Sequence, residues 1–269
     1  PSLMLLVFAF PMLLVAVGCS GPTNTIPDWL ANADDPPLYA VVSAMPIELS
    51  FLLEATAVSD TATMNGVRFH YGKLAGKNVV LSLAGVGLAG AVTSTETLVD
   101  SLMPDAILFS GVAGGIDPAL RIGDVSIAER WARHDVGISG ETEWYPACPE
   151  LIAVARSVRK PQMVICPRLG DCLTYTPRVA VGGNGVTGAR FISSEEQTSW
   201  IHQHFSAMTV DMETSEIARV AHTRRVPFLA VRAVSDRAQG GAHDEFRTYA
   251  ALASENAASV AMAVLAGLD

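Results

Sequence analysis

Residues 228–234 restrict the fold more than any other segment: they read Phe-Leu-Ala-Val-Arg-Ala-Val, apolar at every position except Arg232. A strand with one wet face alternates apolar and polar residues, whereas a continuous apolar run has both faces covered, as in parallel sheets flanked by helices. The chain must therefore supply helices to both sides of a sheet, and the charge inside the strand must find a partner. The same segment, expected as a strand over 226–234, ends in Ser235 and Asp236. Upstream, Val210, Asp211, Met212 and Glu213 follow an apolar run and are expected to open a helix. Acids and an arginine at the carboxyl ends of strands lie where open α/β sheets put their ligands. A structural ion pair within the core is the competing explanation.

Other segments fit the same frame. The spacing predicts strands over 38–43, 67–71, 79–84 and 106–110, with a turn at Asn65 and Gly66, and helices over 47–55 and 89–102. Pro104 stops the second helix, and Phe246, Tyr249, Ala250, Ala253, Ala257, Val260, Ala261 and Val264 form one stripe of a last helix. Residues 125–200 show no clear period beyond a strand near 179–181. Strands alternating with helices, without repeats or a second linker, indicate a single α/β domain.

Half of the 269 residues are hydrophobic, enough for a sizeable core, and the net charge is −9. A pI near 5.1 argues against a nucleic-acid partner, since phosphate binding needs clustered Lys and Arg. A small molecule fits better. The first charged residue is Asp28, and residues 3–17 before it are an unbroken apolar run. That length suits a signal-peptide core and is short for a spanning helix. Ala16, Val17, Gly18 and Cys19 resemble a bacterial lipobox, so residues 1–18 are expected as a signal peptide and Cys19 as a lipidated mature N-terminus; an uncleaved membrane anchor is the alternative. Either way the body is expected to be exported. Pro22, Pro27, Pro36 and Pro37 mark residues 19–37 as a semi-rigid tether to a domain spanning 38–269. In an oxidising compartment Cys166 and Cys172, flanking the turn-like residues 167–171, are able to form a disulfide worth about 2 to 3 kcal/mol, with Cys148 left free. Their spacing is not a zinc pattern, and no metal or cofactor is expected.

Gly85, Gly87 and Gly90 match G-x-G-x-x-G between a strand and a helix. A dinucleotide site would want an acid at the end of the next strand, but Asp105 begins that strand. Glycines that let strand and helix pack closely are the stronger explanation.

Three ordered blocks, residues 110–124 (SGVAGGIDPALRIGD), 210–217 (VDMETSEI) and 226–238 (VPFLAVRAVSDRA), with Ala44 to Glu48 (AMPIE) after the first strand, resemble the methylthioadenosine/S-adenosylhomocysteine nucleosidases of the purine nucleoside phosphorylase superfamily. Bacterial lipoprotein relatives and plant bark storage proteins look similar. The resemblance implies a mixed, partly closed central sheet surrounded by helices, a homo-oligomer, and cleavage of an N-glycosidic bond. It implies Asp236 as the acid that protonates purine N7, Glu48 as the activator of the attacking water, and Glu213 on the ribose hydroxyls with Met212 beneath the sugar. Phe191 falls where the family stacks the purine, Ile192 offers backbone groups to the base edge, and Arg232 orients the carboxylates. Ser235, Ala113 and Gly114 belong to the same substrate pocket. His134 and Asp135 resemble a recurring pair and receive no role.

Departures matter too. Val112 stands where the nucleosidases commonly carry a serine that helps hold the acid, and the phosphorylases' phosphate clamp, an arginine and that serine, falls on Phe109 and Val112. No Lys or Arg occurs over 78–120. Water is therefore the expected nucleophile, with phosphorolysis and a catalytically lapsed nucleoside-binding or storage protein as alternatives.

Overall fold

The computed structural model describes residues 36–136, 142–158, 161–166 and 172–268. Its first strand, β1 (Leu38–Ser43), is buried along its length and leads through Ala44 and Met45 into helix α1 (Pro46–Ala55). Pro46 occupies the first turn of α1, where a missing N–H costs nothing. A meander follows: β2 (Ala57–Met64), β3 (Val67–Leu74) and β4 (Lys77–Leu83). Asn65 and Gly66 turn it with φ of 48° and 82°, the left-handed pair that matches the twist of a tight hairpin. Helix α2 (Leu88–Leu102) precedes β5 (Ala106–Gly115). Then come β6 (Val125–Ile127), β7 (Arg130–Arg133), β8 (Trp144–Pro146), α3 (Pro149–Ser157), β9 (Val179–Val181), β10 (Asn184–Thr187) and α4 (Glu195–Phe205). The chain closes with β11 (Ala207–Asp211), α5 (Thr214–Arg224), β12 (Phe228–Asp236) and α6 (Ala242–Ala266).

The strands form one mixed sheet with β5 at its centre. β1 runs parallel to β5 on one side and β12 on the other, while β11 pairs antiparallel with the far end of β5 at Gly114 and Gly115. Alternate residues of the central strands divide between two cores. Leu108, Leu229 and Val231 pack with α1, α3 and α6, whereas Ile107, Phe109, Phe228 and Ala230 pack with α2 and α5. Both faces are covered, which is why residues 228–234 show no alternation. The molecule is thus a single α/β domain with a mixed central sheet flanked by helices.

Two sequence expectations need correction. Val210 and Asp211 end strand β11 rather than opening a helix, and α5 begins only at Thr214. The reason is that Asp211 accepts N–H donations from Glu213 and Thr214, a local turn that delays the helix. The strand expected from 226 starts only at Phe228 and ends, as expected, in Ser235 and Asp236, its pairing with β5 shifting between Val234 and Asp236. Such a bulge re-aims the side chain that follows it.

Candidate active site

The carboxyl ends of β1, β11 and β12 converge on the second half of β5, and the residues that follow them line a cavity of about 150 Å³. Its floor is Val112, Ala113 and Gly114. Glycine at 111 is a steric need: a Cβ there would stand 2.4 Å from Glu48 Oε1 and 2.5 Å from Arg232 Nη1.

Glu48 reaches back from the first turn of α1. Its Oε2 accepts N–H donations from Ala44 and Met45, and its Oε1 accepts one from Val112, each at 2.8 Å. Burial pushes this carboxyl upward, opposed by the charge of Arg232 and by the three amides. A carboxylate offers about four acceptor positions. Three are filled here, which leaves one on Oε1.

Arg232 and its acids occupy one side. Arg232 Nε lies 3.1 Å from Asp211 Oδ2 and Nη2 lies 3.6 Å from Glu213 Oε2. Nε and Nη1 are out of line for hydrogen bonds, so the pairing is one of charge. The guanidinium also lies 4.3 Å over the Phe109 ring. Asp211 is held in turn by Thr187 Oγ1 at 2.6 Å and by the Thr214 hydroxyl. Glu213 Oε1 accepts an N–H from Gly87 at the start of α2, at 2.7 Å. Burial, followed by the charge of Asp211, pushes Glu213 up to about 7 against Arg232 and the Gly87 amide.

Asp236 faces these groups from the end of β12. Its Oδ1 accepts the Ala238 N–H at 2.9 Å and its Oδ2 the Ser235 hydroxyl at 2.8 Å. Burial raises its pKa, and those two donors only partly offset it. Phe191 and Phe246 form an aromatic wall, their centroids 5.9 Å apart and nearly perpendicular. The outer partner of Phe191 is His243, stacked at 4.5 Å. This set can hold a protonated carboxyl at one side of a bound molecule and an ionised one at another, against an apolar plane.

Of the residues singled out from sequence, Glu48, Asp236, Glu213, Met212, Phe191, Arg232, Ser235, Ala113 and Gly114 line this one cavity. Ile192 lies in a narrower recess beside it, with Phe191, Met212 and Asp236. His134 and Asp135 sit outside, against the turn that carries Phe191. Sequence reasoning missed Asp211 as the partner of Arg232, the Gly87 amide, Val86, and Phe246, which it read as part of a core stripe. Only Asp211 had a signal, its place in the 210–217 block. Cys166 and Cys172 are joined by a disulfide and Cys148 is free. Residues 167–171 and the segment with Cys19 lie outside the described residues. Among the described residues no group of three His, Cys, Asp or Glu side chains is arranged to hold a metal ion.

The sequence model of the phosphorylase superfamily matches residues 38–266. The chain is 31% identical over 236 residues to the 5'-methylthioadenosine/S-adenosylhomocysteine nucleosidase of Tolumonas auensis, covering 84% of this chain and 97% of that protein. Among solved structures, the enzyme of that name from Neisseria meningitidis, in complex with methylthio-immucillin-A, is similar with a TM-score of 0.76 at 27% identity, covering 86% of this chain and 99% of that one. The Colwellia psychrerythraea enzyme, in complex with adenine, is similar with a TM-score of 0.78 at 25% identity, over 87% of this chain and 96% of that one.

Proposed function

Because the chain belongs to the phosphorylase superfamily, we propose that it hydrolyses the N-glycosidic bond of a purine nucleoside or thionucleoside, of the methylthioadenosine/S-adenosylhomocysteine type, to free base and sugar. The observation that carries this is the sharing of one cavity by Glu48, Glu213 and Asp236 with an aromatic wall. Cleavage builds positive charge on the ribose and negative charge on the departing purine, and the two ends need different help. Glu48, with one acceptor position left, takes a proton from water as its oxygen bonds to C1′. The C1′–N9 bond breaks, its electron pair passes into the purine, and Asp236 gives its proton to N7. Glu213 accepts from the ribose hydroxyls, with Met212 beneath the sugar. Phe191 stacks on the base, Ile192 meets its edge, and Arg232 keeps the acids in place.

Water rather than phosphate fits this lining. Arg232 is the one cation lining the cavity among the described residues, and Asp211 and Glu213 already engage it. Phe109 and Val112 offer no side-chain donor, so an entering phosphate would lose its hydration without a paired cation. The test is base release from a panel of adenine and hypoxanthine nucleosides with and without phosphate. Free sugar in phosphate-free buffer is expected. Accumulating sugar 1-phosphate, with turnover lost when phosphate is removed, would overturn the hydrolase assignment, and tight base binding without turnover in either buffer would favour a storage protein.

The enzyme is further proposed to be an exported, lipid-anchored homo-oligomer. The apolar residues 3–17, the small residues before Cys19 and the Pro-rich tether support the anchor. The Cys166–Cys172 disulfide supports an oxidising compartment. Val86, lining the cavity yet 60% exposed, supports a partner subunit over the rim. Cys19→Ser should abolish labelling by a fatty-acid probe and release a folded oligomer. Retained labelling would reject the anchor, and a monomer in sedimentation would reject the assembly.

A further inference from the structure

Phe191 and Ile192 belong to residues 191–194, a stretch in neither helix nor strand. No ladder of hydrogen bonds fixes this stretch; Ile192 is buried in the core cluster that includes Ile201 of α4, Ser194 caps α4, and the chain enters the stretch through the turn at Gly188 and Ala189. The ends of β7 and β11 grip that turn. His134 N donates to Thr187 O at 3.0 Å, Gly188 N donates to Asp211 O at 2.9 Å, and Ala189 N donates to Asp135 Oδ2 at 2.7 Å. Asp135 is itself fixed, since Arg133 Nε donates to its other oxygen at 2.7 Å and Arg133 Nη1 lies 3.2 Å from Glu216 of α5. The contact at Gly188 is tighter still. A Cβ there would stand 2.0 Å from His134 Nε2, a nitrogen buried without a hydrogen-bond partner. On the outer side the turn borders an open groove of about 750 Å³, so packing does not back it there.

We infer that Asp135 and His134 are positioning residues for base recognition: they clamp the Gly188–Ala189 turn from outside the cavity and so set where Phe191 and Ile192 meet the purine. Neither residue lines the cavity. A purely structural role for Asp135 is the alternative, but its side chain is 27% exposed, and a surface ion pair of this kind contributes little to stability. Its donation from Ala189, by contrast, fixes the chain two residues before Phe191 on the side where no packing backs it. The carboxyl is held below its ordinary value: burial would raise it, and the Ala189 N–H and Arg133 outweigh that.

This inference rests on the proposed reaction, so its test carries a readout independent of turnover. KM and kcat for 5'-methylthioadenosine, and Kd for adenine alone, are measured on the full chain. Asp135→Ala should weaken adenine binding and raise KM by about tenfold, the worth of one charge-assisted hydrogen bond, with kcat changed far less. Asp135→Asn keeps an acceptor for Ala189 N and should recover most of that loss. Gly188→Ala should also raise KM, and adding His134→Ala should bring it back by clearing space for the new methyl. Unchanged adenine binding in Asp135→Ala, a fall in kcat at constant KM, or no recovery in the Gly188→Ala, His134→Ala pair would overturn the clamp. A wild-type protein that binds adenine without turning over the nucleoside would count against the reaction alone, and one that does not bind adenine would overturn both.

Discussion

Glu48 and Asp236 are both buried carboxyls whose pKa values burial raises, yet their surroundings sort them into different roles. Three backbone amides point at Glu48, each favouring the ionised form, whereas Asp236 receives one amide and one hydroxyl. Near neutral pH the first is better placed to accept a proton and the second to give one. Glu48→Gln and Asp236→Asn should each lower kcat by at least about 10², and Asp236→Asn should leave nucleoside binding largely intact. Single-turnover rates with a separate binding measurement check this, and near wild-type turnover in Asp236→Asn would mean that the acid is misassigned. These residues were legible in the sequence because motif blocks carry them. The Gly87 donation to Glu213 was not, because any residue has a backbone N–H and these two are 126 positions apart. Nor was the use of Phe246, since a helical stripe does not say where the helix leaves the core and begins to line a cavity.

At the scale of elements, legibility followed the number of apolar residues an element buries. β1, β5 and β12 are long and covered on both faces, and α2 and α6 carry sustained stripes, so their placement could be read directly. β2 reads Ala-Val-Ser-Asp-Thr-Ala-Thr-Met, is mostly exposed, and lies at the sheet edge, held by its partner β3 rather than by its own pattern. β6 and β8 have three residues each and β7 and β10 four, too few to show a period of two, whereas β9, equally short, was marked by the glycines that follow it. Their pairing is set by distant strands. The glycine pattern at 85, 87 and 90 has a packing explanation as well. A Cβ on Gly90 would stand 2.9 Å from Ala84 O, so Gly90 lets α2 approach the end of β4. The same approach brings the N-terminus of α2, with its free N–H groups, to Glu213. One local feature thus serves both the packing of the fold and the site.

For the whole molecule, a cavity built from buried acids ties folding stability to pH. Glu213 titrates near 4.5 in an unfolded chain and at about 7 in the folded one, raised first by burial and then by Asp211, against Arg232. Below the first value both states hold the proton and the group costs nothing. Between the two, the unfolded chain releases its proton while the folded chain keeps it, so stability falls as pH rises, on the order of 3 kcal/mol for this group in all. Above the folded value the loss is complete. Glu213→Gln removes this titration while leaving Arg232 paired with Asp211. The stability of the variant relative to wild type, from urea midpoints between about pH 5 and pH 8, should therefore rise with pH and level off near neutrality. Taking the difference cancels acids titrating the opposite way, such as Asp135, which both proteins share. A difference that stays flat would mean that Glu213 is not raised. The ionised form proposed to accept from the ribose hydroxyls is the form that costs the fold most, so on that proposal nucleoside affinity should climb over the same interval in which wild-type stability declines.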